Sequence, residues 1–428
     1  MKLLYLSLGL LFLVSCKSDP KFEKITSVTA YDSYLNTKNT PTLYETQLQQ
    51  NFWSKRLNKD TTGIGDIGPL AGVYEQLFTE TGNINHLLVA EKLYQKGIAV
   101  AADNFRDGFE RGLAKNYISQ HRFKEAKEIL QKSFENKAQK RPTLHMLFDC
   151  AMELGEYDSA YQYLSELKDM SDYNYLIRIS KWSDHIGDLD NAIKFMEMAK
   201  GKAESHNSTP LKIWTYSNLA DYYGHAGRIK DSYDYYLKTL ALQPDNSYVK
   251  RKLAWIVYAA EGNTRESHRI LDSVMKNHKV PDYLLLKSEL YTFEGNISAS
   301  KKAEEAFVNA VEEGNYGDMY NTYLIELYAE ASPKKALEIA EKEVINRNTP
   351  LINSYLAFAQ LKNGHIEESL KTIETHVEGK TFEPMALYFS ALVYKASSNT
   401  KKVKEIKNEL KEATFELGPV MANQVLDL

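Results

Sequence analysis

Apolar residues recur along most of the chain at the three- and four-residue spacing of amphipathic helices. At intervals of about 35 residues this pattern is interrupted by glycine or by another residue that can occupy a turn. These turn positions are Gly82, His121, Gly155, Gly187, Gly227, Gly262, Gly295, Ala331, Gly364 and Ser398. The spacing predicts consecutive pairs of helices joined by tight turns, about nine or ten pairs in all.

A small residue opens the second helix of most predicted pairs. These residues are Ala126, Ala160, Ala192, Ser232, Ser267, Ser300, Ala336 and Ser369. A small side chain at this position lets two antiparallel helices approach closely, while a larger one on the next turn fills the space between pairs. Because each pair buries its apolar face against its neighbours, we expect a repeat array without an internal domain boundary.

The unit from Leu211 to Pro244 resembles a tetratricopeptide repeat (TPR). It has Ala220 and Tyr223 in its first helix, Gly227 at the turn and a proline after its second helix. The resemblance covers residues 43–414 and implies an all-α fold, a right-handed superhelical α-solenoid of about nine to ten TPR-like helix pairs. It also implies that the first helices line an inner groove that binds peptides or protein segments. We expect one elongated body, with residues 415–428 as a tail that packs back over its end.

The first sixteen residues have the layout of a bacterial export signal. A basic start at Met1-Lys2 is followed by an apolar run that is too short to span a bilayer permanently. Leu13-Val14-Ser15-Cys16 resembles the lipobox of bacterial lipoproteins, which implies removal of residues 1–15 and acylation of Cys16. The alternative is an ordinary secretory signal in which Cys16 is incidental.

Residues 16–42 are predicted to be a polar, lipidated tether. We expect the mature chain to be lipid-anchored in the bacterial cell envelope, at the outer membrane, without spanning it. Lys17 and the charged residues after it resemble the surface-export signals of some Gram-negative lipoproteins. A merely solvated tether facing the periplasm fits the same residues, so the face of the membrane stays open.

Charge and motifs argue against several classes of function. The formal net charge is -4, from 53 Lys+Arg and 57 Asp+Glu, which is too balanced for a nucleic-acid-binding surface. The two cysteines cannot form a disulfide framework, and we expect Cys150 to be a small buried core residue. Gly63 to Gly68 matches the dinucleotide-binding glycine pattern, but no strand is predicted before it, so we interpret it as a connector between helices. No nucleophile, zinc or phosphate-binding motif is present, and we expect no cofactor, no metal and no enzymatic activity.

Candidate binding residues come from two stripes on one predicted helix. Val249, Leu253, Ile256 and Ala260 form an apolar stripe that should face the core. Beside it, an aromatic and cationic stripe has spacings of three, four and three residues and consists of Tyr248, Arg251, Trp255 and Tyr258. One repeat earlier, Trp214 is predicted to lie beside Tyr248. These residue types dominate binding hot spots, although the two tryptophans could equally fill gaps between repeats.

The sequence therefore favours a membrane-anchored scaffold that binds a segment of a partner protein in its concave groove. We expect the chain to be a monomer or a member of a hetero-complex. The alternative is a nutrient-capturing surface lipoprotein similar to the SusD-type glycan-binding proteins, which use Trp and Tyr platforms. Those proteins carry long loops between helices, whereas most units here are close to minimal length.

Overall fold

The computed structural model describes residues 22–57, 63–136 and 140–428. Within these ranges the regular structure is entirely helical. The elements are α1 (Val28–Tyr31), a short 3₁₀ helix (Asp32–Leu35), α2 (Pro41–Arg56), α3 (Ile64–Thr81), α4 (Asn85–Val100), α5 (Asp103–Ser119), α6 (Phe123–Asn136), α7 (Lys140–Leu154), α8 (Tyr157–Glu166), α9 (Tyr173–His185), α10 (Leu189–Ser205), α11 (Thr209–His225), α12 (Ile229–Leu242), α13 (Ser247–Ala259), α14 (Thr264–Asn277), α15 (Asp282–Phe293), α16 (Ile297–Glu313), α17 (Asn321–Ala331), α18 (Pro333–Asn346), α19 (Pro350–Lys362), α20 (Ile366–His376), α21 (Pro384–Ala396), α22 (Thr400–Leu410) and α23 (Thr414–Leu426).

From α3 to α22 consecutive helices pack as ten pairs, each made of an odd-numbered first helix and an even-numbered second helix. Each first helix also packs against its neighbours in the array, so the core runs continuously between pairs. This architecture is an α-solenoid with TPR-like pairing. The predicted fold class and number of pairs are confirmed.

The turn and small residues have the roles that their spacing predicts. Nine of the ten expected turn residues have a positive φ, including the non-glycine residues His121 and Ser398. Ala331 differs, because α17 ends there and Pro333 begins α18 directly. All eight small residues at the start of the second helices are buried. The hydroxyl of Ser267, for example, donates to the carbonyl of Ala254 at 2.9 Å, which joins the two helices of one pair.

The N-terminal segment is not a free tether over its described part. Residues 22–27 lie against the turn after α13, residues 31–37 run along α14, and Tyr31 is completely buried there. The Glu261 carboxylate accepts the backbone N–H of Ile25 at 2.9 Å, and the Tyr31 hydroxyl donates to Glu266 at 2.8 Å. The prediction of a tether over residues 16–42 is therefore wrong for this part. The polar sequence lacks a core of its own, but distant helices supply apolar surface and hydrogen-bond partners.

The superhelix is tightly wound rather than elongated. The backbone N–H of Lys279 donates to the carbonyl of Thr81 at 2.8 Å, and the Lys124 ammonium donates to the carbonyl of Ile345 at 2.5 Å. The partners in each contact lie about six helix pairs apart, so successive superhelical turns touch. The expectation of an elongated body is wrong, because the small rotation between neighbouring pairs accumulates along the array and is not visible in the local apolar pattern.

Candidate functional site: the concave cavity

The first helices of the later pairs surround a hollow, here called the concave cavity; α23 occupies part of it, and about 900 Å³ stays open beside α23. Its wall is formed mainly by α11, α13, α15, α17, α19 and α21, as expected for the inner face of such an array. Helix α23 forms one further side. A volume of this size lies at the upper end of the range for ligand pockets in proteins.

The C-terminal helix α23 lies inside the concave cavity and does not only cover the end of the array. It packs against α11, α13, α15 and α21 as well as against α22. The indole Nε1 of Trp255 donates to the backbone carbonyl of Phe415 at 3.1 Å. Gly418 kinks α23 with φ 77° and ψ 163°, and this kink brings the backbone against the Trp255 ring.

Further polar contacts hold α23 along its length. The Tyr388 hydroxyl donates to the side-chain oxygen of Gln424 at 3.1 Å. The imidazole Nδ1 of His225 lies 2.5 Å from a carboxylate oxygen of Glu416. Burial disfavours the charged form of His225, but the hydrogen bond and the charge of Glu416, together with the charge of Asp184, outweigh this effect, so the pKa of His225 is raised. The segment therefore occupies its place through specific contacts as well as through apolar packing.

The structure separates the predicted site residues into three groups. Arg251 and Trp255 line the concave cavity. Tyr258 is completely buried beneath it, and its hydroxyl donates to Glu289 at 2.7 Å. Trp214 and Tyr248 remain 41 % exposed and do not form part of the cavity wall.

The neighbouring stripes help to define this arrangement. In the predicted apolar stripe, Val249, Leu253 and Ile256 are buried, as expected. The aromatic stripe is linked to the preceding repeat by the Tyr248 hydroxyl, which donates to the carboxylate of Asp221 at 2.5 Å. Trp214 instead packs edge-to-face against Tyr173, with ring centroids 6.4 Å apart.

Sequence reasoning missed the part of the wall formed by α15 to α21. Spacings of three and then four residues continue there on each first helix. The residues concerned are Asp282, Leu285 and Glu289; Tyr323, Glu326 and Glu330; Tyr355, Phe358 and Lys362; and Met385, Tyr388 and Leu392. The signal that could have found them is the same spacing of three and then four residues on every first helix. The sequence-based prediction uses it only on the helix whose stripe is richest in aromatic residues.

Groups suited to other chemistry are few in the described residues. Cys150 is completely buried, as predicted, and burial raises the pKa of its thiol to about 12. Gly63 precedes α3, and the glycine pattern continues into that helix. The described ranges contain no group of three or more His, Cys, Asp or Glu side chains placed to hold a metal ion. They also contain no helix that is long and apolar enough to cross a membrane.

A scan against models of known protein families finds no match, and a search of curated proteins finds none either. Among solved structures, the chain is similar to PilW, described as a widely conserved type IV pilus biogenesis factor. The identity is 14 % and the TM-score 0.39, over 50 % of this chain and 97 % of PilW. It is also similar to YrrB, described as a TPR protein with an unusual peptide-binding site, with 16 % identity and a TM-score of 0.27 over 47 % of this chain and 97 % of YrrB.

A third similar structure is the human IFIT1 dimer with m7Gppp-AAAA. The identity is 12 % and the TM-score 0.47, over 77 % of this chain and 75 % of that chain. Likenesses at these values do not indicate what the present chain binds.

Proposed function

We propose that this chain is a protein-interaction scaffold that is held at a bacterial envelope membrane and binds a segment of a partner protein in the concave cavity. The observation that carries the proposal is α23, a polypeptide helix that already lies in this cavity. The Trp255 indole donates to a backbone carbonyl of α23, and Leu417 and Val425 of α23 are buried in one apolar cluster with Phe389 of the wall. Contacts of this kind are how peptide-binding grooves hold a helix.

The space that α23 leaves supports a second, intermolecular occupant. About 900 Å³ remains between α23 and the first helices, and apolar side chains such as Leu285, Leu327 and Met385 border it. A cavity that combines apolar walls with a few polar groups favours a ligand that has both kinds of group. A polypeptide segment meets this requirement.

Site-specific crosslinking in cells tests the proposal. A photoreactive amino acid at Leu327, on the cavity wall, should form adducts with a defined polypeptide. The matched position is Ile345, which is 71 % exposed on a second helix and lies outside the cavity. We expect the Leu327 adduct to be absent from the Ile345 variant when products are identified by mass spectrometry. Adducts that contain only glycan would favour the SusD-like alternative, and equal adducts at both positions would contradict binding in the cavity.

Membrane attachment is a separate element of the proposal. It rests on the lipobox resemblance of residues 13–16, which lie outside the described residues. Several acyl chains on Cys16 would hold the chain at a membrane, since each buried CH₂ contributes ~0.8 kcal/mol.

Mass spectrometry of the mature N-terminus should therefore find Cys16 acylated at its first position. The variant Cys16→Ser should either remain uncleaved, with the apolar residues 3–14 still attached, or become soluble, with a membrane-bound fraction at least about tenfold lower because it lacks the anchor. A free amine at another residue, or a variant that is cleaved and still fully membrane-bound, would contradict the anchor but not the groove.

A further inference from the structure

About half of the charged side chains on the cavity wall have a partner of opposite charge. Three carboxylates pair with a cation: Asp221 with Lys252, Glu330 with Lys362, and Glu416 with His225. Glu289, Glu304 and Glu326 have no cationic partner among the described residues, and hydroxyl or backbone groups supply their hydrogen bonds. Since an ionised carboxylate away from bulk water is costly without a counter-ion, the wall has an unmet preference for positive charge.

Glu326 is one of these three carboxylates and is half-buried on the cavity wall. Its Oε1 accepts a hydrogen bond from the Tyr355 hydroxyl at 3.0 Å, and its second oxygen has no donor among the described residues. A carboxylate has room for about four hydrogen bonds, so most of its capacity is unused. Burial raises the pKa of Glu326 to about 7, although the hydrogen bond from Tyr355 opposes the rise.

Aromatic rings from three adjacent first helices form the wall on which Glu326 lies. They are Tyr323, Tyr355, Phe358, Tyr388 and Phe389. The rings of Phe358 and Phe389 stack, with centroids 4.3 Å apart and an interplanar angle of 15°. The Lys362 ammonium already lies 5.4 Å from the centroid of Phe358. Ring faces attract cations, so this aromatic wall and the carboxylate favour the same kind of group.

Arg251 indicates what else the occupant must contain. Its guanidinium lies deep in the concave cavity, faces Asp282, and makes no hydrogen bond or ion pair with a described residue. A guanidinium has five N–H donors and needs acceptors. A simple cation offers no acceptor for the N–H groups of Arg251. A polypeptide segment offers carbonyl acceptors and can also carry a charged side chain.

We propose that Glu326 and the aromatic wall of α17, α19 and α21 form a specificity site for a lysine or arginine side chain of the bound segment. The inference rests on the proposed function and adds the chemical class of the residue that the cavity selects. Arg251, which lines the same cavity from α13, is the donor to a carbonyl or carboxylate of the same segment.

A pair of synthetic peptides tests the site on the full chain. The probes are the amidated, N-acetylated peptide GLKLG and its counterpart with norleucine in place of lysine, and binding is measured by calorimetry. The wild type should bind the lysine peptide more tightly, and Glu326→Gln should weaken that binding by about tenfold or more, because a buried charge pair loses one partner. The norleucine peptide should bind both proteins equally.

The matched control is Glu330→Gln, which removes a carboxylate of the same helix that already has Lys362 as its partner. We expect it to change the affinity for the lysine peptide by less than about twofold. The thermal midpoint of Glu326→Gln should be unchanged or higher, since the variant removes a buried charge. A lower midpoint would instead assign Glu326 a structural role and overturn the proposal.

Affinity for the lysine peptide should also rise between about pH 6 and pH 8, because the cation binds the deprotonated form of Glu326. The other titratable and charged groups that line the cavity near or across from Glu326 are Tyr323 and Glu330 on α17, Tyr355 and Lys362 on α19, Asp282 and Glu289 on α15, Glu304 on α16, Tyr388 on α21, Arg251 on α13, and the His225–Glu416 pair. In Glu326→Gln this pH dependence of the affinity should disappear. A pH dependence that persists in the variant would come from another group, such as Glu289.

Two results would overturn the cation site: no binding of the lysine peptide by the wild type, or equal binding by the wild type and Glu326→Gln. Neither result bears on crosslinking from Leu327, which tests the groove independently. Failure of this specificity site is therefore distinguishable from failure of the proposed function.

Discussion

Replacing Gly418 by alanine is expected to release α23 from the concave cavity. Gly418 has φ 77° and ψ 163°, a region of backbone space that is essentially restricted to glycine and costs other residues about 1 to 3 kcal/mol. An added Cβ would also lie 2.6 Å from the Trp255 ring and 3.2 Å from a carboxylate oxygen of Glu289. The backbone strain and the close contacts of the added Cβ destabilise only the state in which α23 is docked. The substitution therefore favours the undocked state.

Limited chymotrypsin digestion measures this release, because α23 contains Phe415, Leu417 and Met421. A loss of about 2 kcal/mol in docking corresponds to ~thirtyfold faster cleavage within the segment. The control is Gly364→Ala, since Gly364 also has a positive φ (81°) but open space around an added Cβ. Cleavage in α23 should be unchanged in that control. Equal cleavage in wild type and Gly418→Ala would mean that the segment is held mainly by contacts on either side of the kink.

Truncating Trp255 to alanine is expected to lower the free energy of unfolding by about 3 kcal/mol, toward the lower end of the values for buried tryptophan. The ring is only half-buried, but it packs edge-to-face on Tyr258 and against Gly418, and its Nε1 donates to Phe415. Trp255 therefore joins α13 to α23, and its loss should also free the C-terminal segment.

Denaturant unfolding followed by circular dichroism provides the measurement. Trp214→Ala is the control, because Trp214 is largely at the surface and should cost less than about 1 kcal/mol. Trp255→Phe keeps most of the ring and removes the donor, so it should cost about 1 kcal/mol. A loss of stability in Trp214→Ala as large as in Trp255→Ala would contradict the distinction that the structure makes between the two tryptophans.

The candidate site could be predicted only in part from the sequence. The spacing of Arg251 and Trp255 placed both on one helix face, and both line the concave cavity. The same spacing could not show that Tyr258 would be completely buried, since this depends on Glu289 and α23, which come from other parts of the chain. Helical periodicity assigns a face to a residue, but the neighbours of that face are set by tertiary packing.

Local spacing was sufficient for the helix pairs because the turn and small residues act on their nearest neighbours. A positive φ at His121 or Ser398 ends one helix, and a small residue such as Ala160 or Ser267 allows the next helix to pack closely. The sequence by itself thus determined the helix pairs and their number, and the resemblance to tetratricopeptide repeats added the inward position of the first helices.

Only the tertiary structure decided the contacts between distant segments. It placed residues 22–37 against the turn after α13 and along α14, brought the turn at Thr81 against Lys279, and laid α23 in the concave cavity. These contacts join residues about two hundred positions apart, and they depend on the rotation that accumulates over many pairs. A polar tether and a short tail have little core of their own, so the surface on which they pack is created only when the superhelix is complete.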